Sequence, residues 1–73
     1  MLYFDGNRLR ALRLARGYTQ DDLARLIGAS ERAYQKWEYG ESKPNATYLL
    51  RIMVVLQCKN AFAFASHCEE VSK

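Results

Sequence analysis

The sequence predicts an all-α fold, a compact bundle of four to five short helices in a single domain over residues 1–73. Three observations predict it. Apolar residues recur at spacings of three and four along most of the chain, the period of a helix with one buried face. Gly17, Gly28, Gly40 and the Lys43-Pro44 pair fall at helical intervals and punctuate those stretches. Side chains suited to capping a helix start, Asp5, Thr19, Ser30 and Asn45, stand just ahead of them.

The first helix is expected over 5–16, with Leu9, Leu12 and Ala15 as its apolar stripe and Arg8, Arg10 and Arg16 off it. The second opens at Thr19-Gln20-Asp21-Asp22, a capping box in which Thr19 and Asp22 satisfy each other's amides. Its two early carboxylates suit the positive end of the helix dipole, and Leu23, Ala24 and Ile27 form its stripe. The third helix starts two residues after Gly28, with Ala33, Tyr34 and Trp37 inward and Glu31, Arg32, Gln35 and Lys36 together on the other side. A polar loop then leads to a fourth helix capped by Asn45. Its Leu49, Leu50, Ile52, Met53 and Leu56 are apolar nearly all round, so burial on more than one side is expected. For 60–69 the strict alternation of Ala61-Phe62-Ala63-Phe64-Ala65 has the period of a strand. A fifth helix is nevertheless favoured there, because alanine is a strong helix former and a lone strand would lack a partner.

Composition narrows the class. The chain has 73 residues, 49% hydrophobic types and a net charge of +3. That is too apolar for disorder and too short for a multidomain enzyme. The basic excess lies in residues 1–60, with ten Lys and Arg against six Asp and Glu. It permits a polyanionic partner without establishing one. No apolar run approaches the ~20 residues of a membrane helix, and the opening Met1-Leu2-Tyr3-Phe4-Asp5 has no secretory character. A cytoplasmic location is expected. Cys58, His67 and Cys68 are too few and too closely set for a zinc site, so reduced thiols and no metal are expected. One His, no nucleophile–base–acid set and no phosphate loop argue against an enzyme and against a cofactor. Asp21 and Asp22, being adjacent, diverge on a helix and read as dipole-complementing.

The second and third segments carry the informative constellation. A turn this short needs a residue free to take positive φ, and Gly28 stands there. Two helices crossing at close range need a small residue, and Ala24 supplies it. With Leu23, Ile27, Tyr34 and Trp37 inward, the pattern is that of a DNA-binding helix-turn-helix.

The chain resembles the Xre/Cro-type helix-turn-helix regulators of phage and bacteria, whose fold is the lambda-repressor-like DNA-binding domain. The carrying residues are Arg8-Leu9-Arg10, Arg13, Gly17, Thr19-Gln20, Leu23-Ala24, Gly28, Ser30, Trp37-Glu38, Gly40, Pro44 and Leu49-Leu50, within 5–56. The resemblance implies a repressor whose helix over 30–39 enters the major groove of operator DNA, in a bacterial or phage-infected cell and associated with the nucleoid. Ser30, Glu31, Arg32, Gln35 and Lys36 match the family's base-reading positions. Arg32 and Lys36 suit guanine O6 and N7, and Gln35 suits adenine. Thr19, Gln20, Tyr39 and Lys43 match its phosphate contacts, and Arg13 with Glu38 its buried ion pair. The chain departs from the pattern at Ala29, where a larger aliphatic is usual, and at Tyr34, whose hydroxyl is expected to reach solvent or phosphate. Glu31 and Tyr39 depart as well.

Two readings of the tail stand open. Leu2–Phe4 and one phenylalanine fold back over the bundle, or Phe62 and Phe64 form a surface for a two-fold homodimer or a protein partner. The alternative to a repressor is an antitoxin-like interaction module that binds a toxin through 62–71, with or without DNA binding.

Overall fold

Each of the four helices among the described residues starts where a short polar side chain accepts a hydrogen bond from an otherwise unpaired amide. The computed structural model describes residues 2–58 and 61–67. Asp5 caps α1 (Gly6–Ala15), Thr19 caps α2 (Gln20–Ile27), Ser30 caps α3 (Glu31–Tyr39) and Asn45 caps α4 (Ala46–Leu56). The Thr19–Asp22 capping box is closed in both directions, at 3.0 and 3.2 Å.

Leu9, Leu23, Ala24, Ile27, Tyr34, Trp37, Ile52, Leu56 and Phe64 form the core. The apolar stripes end earlier than their periodicity suggests. Ala15 is exposed, and α1 instead turns Gly6, Leu9 and Arg13 inward. On α4, burial is confined to one side: Ile52 and Leu56 are covered, whereas Leu50 and Val54 face outward, Val54 at 77% exposure. The Tyr34 hydroxyl does not reach solvent. The residue is wholly buried, its ring meeting Trp37 edge-on at 5.9 Å between centroids.

Gly6 fixes the approach of α1 to α3. A Cβ at this position would lie 2.4 Å from the Trp37 carbonyl oxygen and 2.5 Å from that of Glu38. Only a glycine lets the first turn of α1 rest against the last turn of α3.

The expected fifth helix is replaced by a 3-10 turn (Ala61–Phe64) and a strand, β2 (Ala65–His67). Residues 60, 68 and 69 of that expectation lie outside the described residues. The strand has the partner that reasoning from the sequence denied it. β2 pairs antiparallel with β1 (Leu2–Phe4), in the register Leu2 to His67, Tyr3 to Ser66 and Phe4 to Ala65. The Asp5 amide donates to the Phe64 carbonyl at 2.5 Å, and the Phe4 and Phe64 rings lie 6.2 Å apart. Burial of these two rings, which neither terminus achieves alone, outweighs the helix propensity of the alanines.

Candidate nucleic-acid interface

The turn between α2 and α3 is built on Gly28, whose φ of +78° is costly for any residue with a side chain. The Ala29 amide returns to the Ala24 carbonyl at 2.9 Å, and Ser30 Oγ accepts from the Ala33 amide at 3.1 Å. The chain thus leaves one helix and enters the next with its terminal groups satisfied.

Helix α4 clamps this turn from behind. Arg51 Nη1 donates to the Ile27 carbonyl at 3.0 Å, and the Tyr48 hydroxyl donates to that of Gly28 at 3.4 Å. The Arg51 guanidinium lies 5.6 Å from the Tyr48 ring centre, and that ring lies 5.3 Å from Trp37. Tyr48 is therefore a support of the turn. This support and that of Arg51 were not legible from the sequence.

A second support ties α1 to the far end of α3. Arg13 Nε donates to Glu38 Oε2 at 2.6 Å and Nη2 to Oε1 at 3.3 Å, while Nη1 donates to the Tyr18 carbonyl at 2.8 Å. Gln20 Nε2 donates to Glu38 Oε1 at 3.0 Å. Burial alone would push the Glu38 carboxyl up, but these bonds hold it below the ordinary glutamate value. The Tyr34 hydroxyl lies buried beside Glu38 and Arg13 without a hydrogen bond of normal geometry, and burial pushes its ionisation far above the ordinary tyrosine value.

Between these supports α3 turns its remaining face outward. Ser30, Glu31, Arg32 and Lys36 are exposed and Gln35 is half-buried. Gln35 Nε2 donates to Glu31 Oε2 at 3.4 Å, so the acidic group at the start of this edge already has a donor. Tyr39, at 64% exposure, and Lys43 continue the edge beyond the C-terminal end of α3. Thr19 and Gln20 lie at the start of α2. The Thr19 hydroxyl oxygen accepts from the Asp22 amide, and the Gln20 carboxamide bonds to Glu38, with one hydrogen left to donate. Asp21 and Asp22 pair with Arg25 close by. The Asp22 carboxyl is held below its ordinary value, chiefly by the Thr19 amide.

One of the two tail phenylalanines considered above as a partner surface is turned inward. Phe64 is 1% exposed and belongs to the core, so it offers nothing to a dimer partner or a toxin. The side chain of Phe62 lies outside the described residues. Among the described residues, no group of His, Cys, Asp and Glu could hold a metal ion, and no helix is long and apolar enough to cross a membrane.

A family model described as helix-turn-helix matches residues 9–59. The chain belongs to the helix-turn-helix family. The kinship with Xre/Cro-type regulators holds in the individual relatives. Repressor protein C2 of Salmonella phage P22 is 38% identical over 53 residues, which are 73% of this chain and 24% of that protein. The SPbeta prophage-derived uncharacterized HTH-type transcriptional regulator YonR of Bacillus subtilis (strain 168) is 30% identical over 57 residues, 78% of this chain and 53% of its own length. The chain therefore spans only part of the regulators it matches. In three dimensions it is similar to the P22 c2 repressor crystallised with a synthetic operator, with a TM-score of 0.76, 32% identity, and coverage of 85% of this chain and 94% of that one. The solution structure of the P22 c2 DNA-binding domain, residues 1–76, gives the same TM-score at 33% identity, over 84% of this chain and 80% of that one.

Proposed function

We propose that this domain is the DNA-binding part of a sequence-specific transcriptional regulator, a repressor, which lays α3 in the major groove of double-stranded operator DNA. The observation that carries this reading is the row Arg32, Gln35 and Lys36, turned outward on a helix whose opposite side is core. Ser30, Glu31, Arg32, Gln35 and Lys36 read base edges, and Thr19, Gln20, Tyr39 and Lys43 meet the backbone on either side. Arg32 and Lys36 donate to guanine, and Gln35 pairs with adenine. Glu31 accepts from cytosine N4 and weakens binding to unrelated sequence. With a net charge of only +3, discrimination rests on these base contacts more than on a general attraction to phosphate.

Two copies act on one operator. A single helix spans a few base pairs, and two helices set about 34 Å apart meet successive turns of the groove. The reading needs no cofactor. The C-terminal interaction reading loses one of its two aromatic anchors with the burial of Phe64.

Selection of bound sequences from a random duplex pool at physiological salt tests the proposal. The expected result is a palindrome with half-sites about one helical turn apart. Recovery of sequences with no common element would overturn it.

A further inference from the structure

Beyond the C-terminal end of α3 lies a cleft of about 360 Å³ whose lining comes from both ends of the fold: Tyr3 of β1, Asn7 of α1, Tyr39 of α3 and Lys43 of the following loop. The strand alternation explains Tyr3. Phe4 packs on Phe64, so its neighbour in β1 turns to the opposite face, where Tyr3 is 48% exposed. Pairing of β1 with β2 holds it there. The two acidic residues on the lining are both engaged. Asp5 accepts from the Asn7 amide, and the Glu38 carboxylate is buried against Arg13. Lys43 forms no ion pair among the described residues and supplies the one cationic side chain among those that line the cleft. The lining therefore includes an ammonium, two phenolic hydroxyls and a carboxamide, each able to donate a hydrogen bond.

The geometry points to this cleft as a seat for a backbone phosphate of the same duplex that α3 reads, with the Tyr3 hydroxyl and the Asn7 carboxamide joining Tyr39 and Lys43 as its donors. This rests on the reading of α3 as a DNA-reading helix. A helix that enters the groove by its N-terminal residues leaves it toward the sugar-phosphate chain, and the cleft lies at that exit. The terminal ribbon, which reasoning from the sequence did not foresee, thereby becomes part of the interface. It carries no base information and adds affinity and register.

Tyr3→Phe removes the hydroxyl and keeps the ring. It is expected to weaken binding about tenfold on the selected operator and on random duplex alike, as loss of a hydrogen bond to a charged group does. The salt slope should stay unchanged, because a neutral hydroxyl displaces no counterion. Asn7→Ala should behave in the same way. Phosphate ethylation interference should lose one position per half-site in each variant, and their melting temperatures should match the parent's. If the parent binds duplex DNA and both variants keep its affinity and its interference pattern, the cleft assignment is wrong and the reading of α3 survives. If the parent binds no duplex, both fall. If inorganic phosphate alone shifts the Asn7 and Lys43 amide resonances while the variants bind duplex normally, the cleft takes a free anion and the assignment to DNA is wrong.

Discussion

Arg13 and Glu38, 25 residues apart, meet through a 2.6 Å contact between Nε and Oε2 with both side chains withdrawn from solvent. The pair sets the angle between the first and third helices. It also holds the Tyr18 carbonyl and the Gln20 carboxamide, and so the start of the second helix. One carboxylate thus connects the recognition helix to the neighbouring helix start that is proposed to meet phosphate.

Removing one member leaves a buried charge without its partner. Glu38→Ala is expected to lower unfolding free energy by about 3–5 kcal/mol, whereas joint replacement of Arg13 and Glu38 by apolar residues of similar size should cost far less. Urea unfolding of the single and double variants checks this. Equal losses would mean that the charge itself contributes little.

Glu38 also predicts an acid dependence. Its carboxyl titrates below the ordinary 4.5 in the folded chain. The stability it contributes is therefore complete above that unfolded value and is lost as pH falls through the folded one. Urea midpoints followed from about pH 7 to about pH 3 should fall more steeply for the parent than for Glu38→Gln. Parallel curves would contradict the assignment.

Phe64 is expected to behave as a core residue. Phe64→Ala should cost about 3–5 kcal/mol in thermal or urea unfolding, through lost burial and a cavity beside Phe4. A loss below about 1 kcal/mol would mean that the ribbon does not close over the helices in solution.

Gly6→Ala should be more damaging than alanine at an ordinary helix start. The added methyl would meet two backbone carbonyls of α3, which have no rotamer with which to yield. A cost of about 3 kcal/mol is expected, read as a lowered melting temperature. An unchanged melting temperature would show that α1 and α3 can separate freely.

The helices were legible because their signals are local. Asp5, Thr19, Ser30 and Asn45 act within three residues of themselves, and Gly28 acts where it stands. The ribbon was not legible, because its two strands are separated by the entire helical bundle and each is only three residues long. The alternation around Phe62 and Phe64 does not itself mark the strand: Ala61–Phe64 form a 3-10 turn, and β2 begins only at Ala65. The outward row of α3 could be read from periodicity. The Arg13–Glu38 pair came from family likeness, since no helical spacing links residues so far apart. The supporting roles of Tyr48 and Arg51 depend on how α4 crosses behind the turn, which spacing along a single helix does not give.

The most direct test of the account is the base preference of Arg32→Ala and Gln35→Ala, measured on the selected operator and on duplexes with one base pair changed. The account predicts a loss of about 1–3 kcal/mol on the correct site, with relaxed preference at the position each side chain reads. Equal losses on every duplex, with preference intact, would contradict it.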